Sequence, residues 1–163
     1  INYSAALVDI ATGLTEFHGA VGHSFGALAI SFRWRELPPL KRVVMVSPPA
    51  EMKLYSQLFV QAIGGNSDVH DRMLRVYRKK FGIIWDDITV ENVAPKSEAP
   101  LLVVHDRGDR QAPFSHGRRT CRAWPEARLH ETVGLGHHRI LRNEAVAEVV
   151  ASFLAADTTP DRT

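Results

Sequence analysis

The stretch Gly19-Ala20-Val21-Gly22-His23-Ser24-Phe25-Gly26 decides the fold. Glu16–Gly22 is short, apolar and flanked by glycine, which reads as a buried strand. Directly after it, Phe25, Leu28, Ala29 and Phe32 repeat at intervals of three and four. That spacing predicts a helix from Ser24 to about Glu36, ended by Pro38-Pro39, which cannot continue the hydrogen-bond ladder. Ser24 therefore stands on a sharp turn from strand to helix, in the pattern Gly-x-Ser-x-Gly. A side chain at Gly22 or Gly26 would collide with the neighbouring elements. The serine takes a strained backbone conformation that exposes its hydroxyl. The helix points its amino terminus at that hydroxyl, and the Phe25 N–H is placed to donate to a developing oxyanion. Ser24 is the candidate nucleophile and Phe25 the candidate oxyanion donor.

Working outward, Asn2–Leu14 carries Leu7, Ile10, Ala11 and Leu14 at helical spacing. Val43–Val46 and Leu101–Val104 are continuous apolar runs, typical of strands covered on both faces. Ala127–Val133 alternates and reads as one more strand. Helices are expected at about Pro113–Ala123 and Asn143–Ala156. Residues 51–94 read as mainly helical. They hold one stripe of Met52, Tyr55, Leu58, Phe59 and Ile63, then a looser one of Val69, Leu74, Val76, Tyr77 and Phe81, parted by Gly64-Gly65-Asn66. Alternating apolar strands and amphipathic helices imply an α/β fold, a mainly parallel sheet with helices on both faces. Residues 1–156 are expected to form a single domain containing the 51–94 insert, with a polar tail at 157–163.

The 163 residues are enough to bury a sizeable core, and 45% of them are hydrophobic. A formal net charge of +2 gives no reason to expect nucleic acid as a partner. The basic run Arg72–Lys80 fits a solvated helix face. Cys121, the one cysteine, rules out an intramolecular disulfide and a thiolate metal site, and suits a reducing, cytoplasmic compartment. It reads as a helix residue packed inward. No apolar run approaches the ~20 residues of a membrane-spanning helix. The eight histidines show no metal-ligand spacing, so neither metal nor cofactor is expected.

A serine nucleophile needs a base, and the base needs an acid to orient it. His105-Asp106-Arg107-Gly108-Asp109 follows the third strand, and Gly134-Leu135-Gly136-His137-His138 follows the fourth. Both segments lie at carboxyl ends of strands, the edge where sites form in such sheets. Asp109 and His137 fit the two roles, with Asp106 and His138 as their competitors. His23 and His105 read as hydrogen-bonding residues near the site.

Taken together, these features resemble the α/β-hydrolase family. Gly22–Gly26 is similar to its nucleophile elbow, Leu101–Asp109 with Ala112-Pro113 to its acid loop, and Gly136-His137 to its histidine loop. The resemblance covers almost the whole chain. It implies Ser24 as nucleophile, His137 as general base and Asp109 as the acid holding it, because the family places the base right after glycine and usually has glycine where Asp106 stands. It also implies that 51–94 forms a substrate-covering cap. The expected activity is hydrolysis of a carboxylic ester or related acyl bond, as in esterases, lipases and thioesterases, with a small-molecule acyl substrate. Strands that precede the elbow in the family are not in this chain, nor is the loop that supplies the second oxyanion donor. With Ile1 as its first residue, the chain is expected to be a fragment, a short member completed by a partner, or a non-catalytic interaction module. The elbow strand would be an apolar sheet edge, which invites a homodimer through it.

Overall fold

The structure is a computed structural model that describes residues 2–14, 18–94 and 99–156. The first two residues of the expected elbow strand, 16 and 17, and the tail 157–163 lie outside the described residues. Helix α1 spans Asn2–Thr12 and is followed by strand β1, Gly19–His23. Helix α2 covers Phe25–Phe32, and strand β2 covers Arg42–Val46. The insert then contributes α3 (Lys53–Ala62), α4 (Ser67–Phe81) and a short α5 (Val90–Val93). Strand β3 (Leu101–Asp106), helix α6 (Phe114–Ala123) and strand β4 (Ala127–Thr132) come next. A short helix α7 (Gly136–Arg139) and helix α8 (Glu144–Ala155) complete the order.

The four strands lie in chain order, β1-β2-β3-β4, and each pairs with its neighbour in parallel. Successive side chains on a strand point to opposite faces, and β2 and β3 are apolar on both. Val43, Met45, Leu101 and Val103 join Ala27 and Ile30 of α2 and Trp124, just beyond α6, in one core. Val44, Val46, Leu102 and Val104 join Ile140 and Val146 in a second, which α8 covers. Helices on both faces therefore follow from the uninterrupted apolar runs. β1 and β4 are the outer strands among the described residues, and Val21 of β1 is 56% exposed.

Several elements differ from the sequence reading. α2 stops at Phe32, and Trp34–Glu36 is a 3₁₀ turn that brings the Trp34 ring edge-on to Trp124, 5.0 Å between centroids. β3 runs two residues further than its apolar run, taking in His105 and Asp106. Of α3 only Ser56 and Val60 are buried, and of α4 only His70. Leu58, Phe59 and Ile63 of the expected stripe are exposed instead. The contact between α3 and α4 is polar at its centre: Ser56 donates to the Lys53 carbonyl, and its oxygen meets His70 Nε2 at 2.8 Å. The insert is closed at its base, where Glu51 bridges Thr89 and Val90 N–H donates to the Ala50 carbonyl. Arg119 of α6 ties that base down through Glu51 and Glu91.

Candidate active site

Ser24 joins β1 to α2 with φ 53° and ψ −121°. That is the left-handed half of backbone space, costly for a residue with a Cβ, and such strain concentrates at functional sites. Two sets of bonds enforce it. The Ser24 N–H donates to the Val46 carbonyl of β2, while the Ser24 carbonyl accepts from Ala27 and Leu28 N–H and starts the helix. Gly22 lets the helix come this close, since a Cβ there would sit 2.6 Å from the Ala27 nitrogen. The first N–H groups of a helix have no acceptor within it, so the start of α2 offers donors beside the hydroxyl.

Asp109 follows β3 in a tight turn. One carboxylate oxygen accepts from the backbone N–H of Gln111 at 2.8 Å and of Ala112 at 2.9 Å. The other accepts from His137 Nδ1 at 2.7 Å. Burial alone would push this carboxyl up, but the Ala112 N–H, His137 and Gln111 N–H outweigh it and hold the acid below its ordinary range. His137 lies on α7, buried, after two left-handed glycines, Gly134 and Gly136. Its Nδ1 proton is committed to Asp109, which leaves Nε2 as the basic nitrogen. His23 fixes the backbone of that turn by donating Nε2–H to the His137 carbonyl at 2.9 Å, with the two rings 4.7 Å apart. Ser24, Asp109 and His137 thus all stand at the carboxyl ends of parallel strands. The structure brings Asp109 and His137 into direct contact. It places Ser24 one residue from His23, with no hydrogen bond between Ser24 Oγ and His137 among the described residues. Phe25 begins α2, and its ring stacks edge-on to Tyr55 of the insert at 5.4 Å.

The competing residues have other partners. Asp106 accepts from Gly108 N–H, Thr132 Oγ1 and Leu135 N–H, and so stitches the acid loop to the histidine loop without touching His137. His138 pairs with Gln111 at 2.9 Å. His105 is fully buried and donates Nε2–H to the Ala112 carbonyl. Burial lowers the affinity of this ring for a second proton. Gly117 of α6 packs against that ring so closely that no Cβ would fit. Cys121 is half-buried against the core, and Arg72, Arg75, Arg78, Lys79 and Lys80 are exposed.

One residue near the site had no sequence signal of its own. Ser47, the residue after β2, has φ 48° and is fully buried near the Asp109 carboxylate. Its strain depends on contacts between strands that a local pattern does not carry. An open cleft of about 430 Å³, bordered by Gln111, Leu135, His137 and His138, gives access to the histidine side of the site. Among the described residues, no group of three or more metal-ligating side chains occurs, and no helix is long and apolar enough to cross a membrane.

The α/β-hydrolase sequence family described as TAP-like protein matches residues 85–163. A hydrolase from Pseudomonas aeruginosa superposes with a TM-score of 0.66 at 14% identity, over 94% of this chain and 71% of its own. A monoacylglycerol lipase from Paleococcus ferrophilus gives 0.62 at 17%, over 94% and 74%. An esterase from Rhodococcus gives 0.61 at 16%, over 94% and 70%. The chain thus spans less than three quarters of the length of a Rhodococcus esterase it superposes on almost completely. No curated protein matches it in sequence.

Proposed function

We propose that this chain, whose fold is that of the α/β-hydrolases, is a serine hydrolase acting on a carboxylic ester or related acyl bond. The observation that carries the reading is the strained Ser24 at the head of α2, on the same sheet edge as the hydrogen-bonded pair Asp109 and His137. In the proposed cycle His137 Nε2 takes the Ser24 proton as Oγ attacks the acyl carbon. The tetrahedral oxyanion is met by the Phe25 N–H at the positive end of α2. Collapse breaks the ester bond, and His137 returns the proton to the departing alcohol. Water, deprotonated by the same ring, then attacks the acyl-serine, and the acid leaves. Asp109 stays ionised throughout, holding the ring and offsetting the charge it gains. Residues 51–94 serve as the cover over the substrate.

A second reading, an interaction module without catalysis, draws on the unmade Ser24–His137 hydrogen bond. Such bonds are often loose in a free enzyme and tighten with substrate, which leaves catalysis the better supported of the two. Pre-steady-state kinetics with a p-nitrophenyl ester separates them. A burst of nitrophenolate approaching one per folded chain is expected where deacylation is slow, and linear release at the rate of buffer favours the module.

Pairing of two copies through β1 is part of the same proposal, supported by the exposed Val21 on that edge strand. Sedimentation at micromolar concentration is expected to show a dimer that Val21→Lys splits into monomers. A monomer for the unaltered chain removes this part.

A further inference from the structure

The face of α2 formed by Phe25, Leu28, Ala29 and Phe32, at i, i+3, i+4 and i+7, is only partly packed. Together with Tyr77 and Trp85 of the insert it walls a cleft of about 310 Å³. Leu28 and Ala29 form a nearly buried floor, 7% and 6% exposed, while the aromatic rings stand at the sides. Tyr77 and Trp85 meet edge-on at 5.2 Å, which makes the far wall a fixed aromatic corner. The cleft begins at Phe25, next in the chain to Ser24, and runs away from it along the helix.

From this we propose that the cleft holds the linear apolar chain of the substrate, making medium-chain alkyl or acyl esters the preferred class. The inference rests on the serine-hydrolase reading above. Shape and chemistry select this occupant. Seven residues of helix rise roughly 10 Å, the length of an extended chain of about eight carbons. The volume is at the low end for small-molecule sites and fits one such chain. Among the described residues no charged side chain lines it. The hydroxyl of Ser4, at its edge, already accepts from Arg33 Nε at 3.1 Å. The backbone of α2 is engaged in its own ladder, so a peptide laid here would leave its amide groups without partners, a burial that costs several kcal/mol per group in an apolar site. An alkyl chain carries no such groups.

A chain-length series of p-nitrophenyl esters, from acetate to dodecanoate, tests this on the full chain. kcat/KM is expected to rise by about fourfold per added methylene, as for full burial of each, and to level off near eight carbons. Ala29→Leu, which fills the floor, is expected to move that plateau to shorter chains. Titration with 1-octanol, followed by tryptophan fluorescence and compared with Trp85→Phe, reads the cleft without turnover. Saturable binding that weakens in Ala29→Leu supports it. A flat chain-length profile with fluorophosphonate labelling of Ser24 intact, or octanol binding unaffected by Ala29→Leu, overturns the cleft and leaves the hydrolase reading standing. Absent hydrolysis and absent labelling overturn the hydrolase reading, and octanol binding then decides whether the cleft is an apolar site in its own right.

Discussion

Asp109→Asn is expected to lower kcat for a p-nitrophenyl ester by about 10⁴-fold while the protein stays folded. The two oxygens of Asp109 do different work. The one facing the chain accepts from Gln111 and Ala112 N–H, and the asparagine carbonyl oxygen can keep both bonds. The other accepts from His137 Nδ1 at 2.7 Å. Replaced by an amide nitrogen, it becomes a donor facing the ring, which then carries its proton on Nε2 and presents no base to Ser24. The loss is one of tautomer and charge, not of shape. Circular dichroism and the thermal midpoint should therefore stay close to those of the unaltered chain. Retention of activity within tenfold would mean that Asp109 does not orient the base.

Gly22→Ala carries the second large effect, through the backbone. Its Cβ would sit 2.6 Å from the Ala27 nitrogen and 2.7 Å from Ala27 Cα, both main-chain atoms of the first turn of α2. A flexible side chain could swing aside, but here the whole helix must move. Overpacking of this kind costs about 3 kcal/mol. For a chain of this size that lowers the melting temperature by roughly 6–12 °C. Displacing the elbow by even ~1 Å would also cost about a hundredfold in rate. Gly64→Ala is the matched control. It has φ 79° but nothing within 4 Å of the added carbon, so only backbone strain of about 1 kcal/mol is expected. Calorimetry on the two variants separates collision from strain. Equal melting temperatures would show that the elbow is not tightly packed.

The parts of this molecule that could be read from sequence are those whose physics is local. Val43–Val46 and Leu101–Val104 are apolar on both faces, so they announce buried parallel strands without reference to anything else. Ser24 needs its glycines within two residues, and the helix that follows shows its period at once. The placement of Ser24, Asp109 and His137 after β1, β3 and β4 was legible for the same reason. What stayed hidden depends on partners far along the chain. β3 continues through His105 and Asp106 because their backbones pair with Glu131 and Thr132 of β4, and no local rule reveals that. The stripe of α3 looked like a packing face, yet Leu58, Phe59 and Ile63 are exposed. The insert contacts the rest of the molecule mainly at its base, so periodicity there did not translate into burial. Of its aromatics, Tyr77 and Trp85 turn to the cleft on α2, whereas Phe59 and Phe81 are 58% and 44% exposed.

An active-site-directed fluorophosphonate puts the proposed activation of Ser24 as nucleophile to the test. With the adduct located by peptide mass spectrometry, one label per folded chain is expected, on Ser24, lost in Ser24→Ala and strongly slowed in His137→Ala. A folded chain that takes no label, or takes it elsewhere at a rate indifferent to His137, would contradict it.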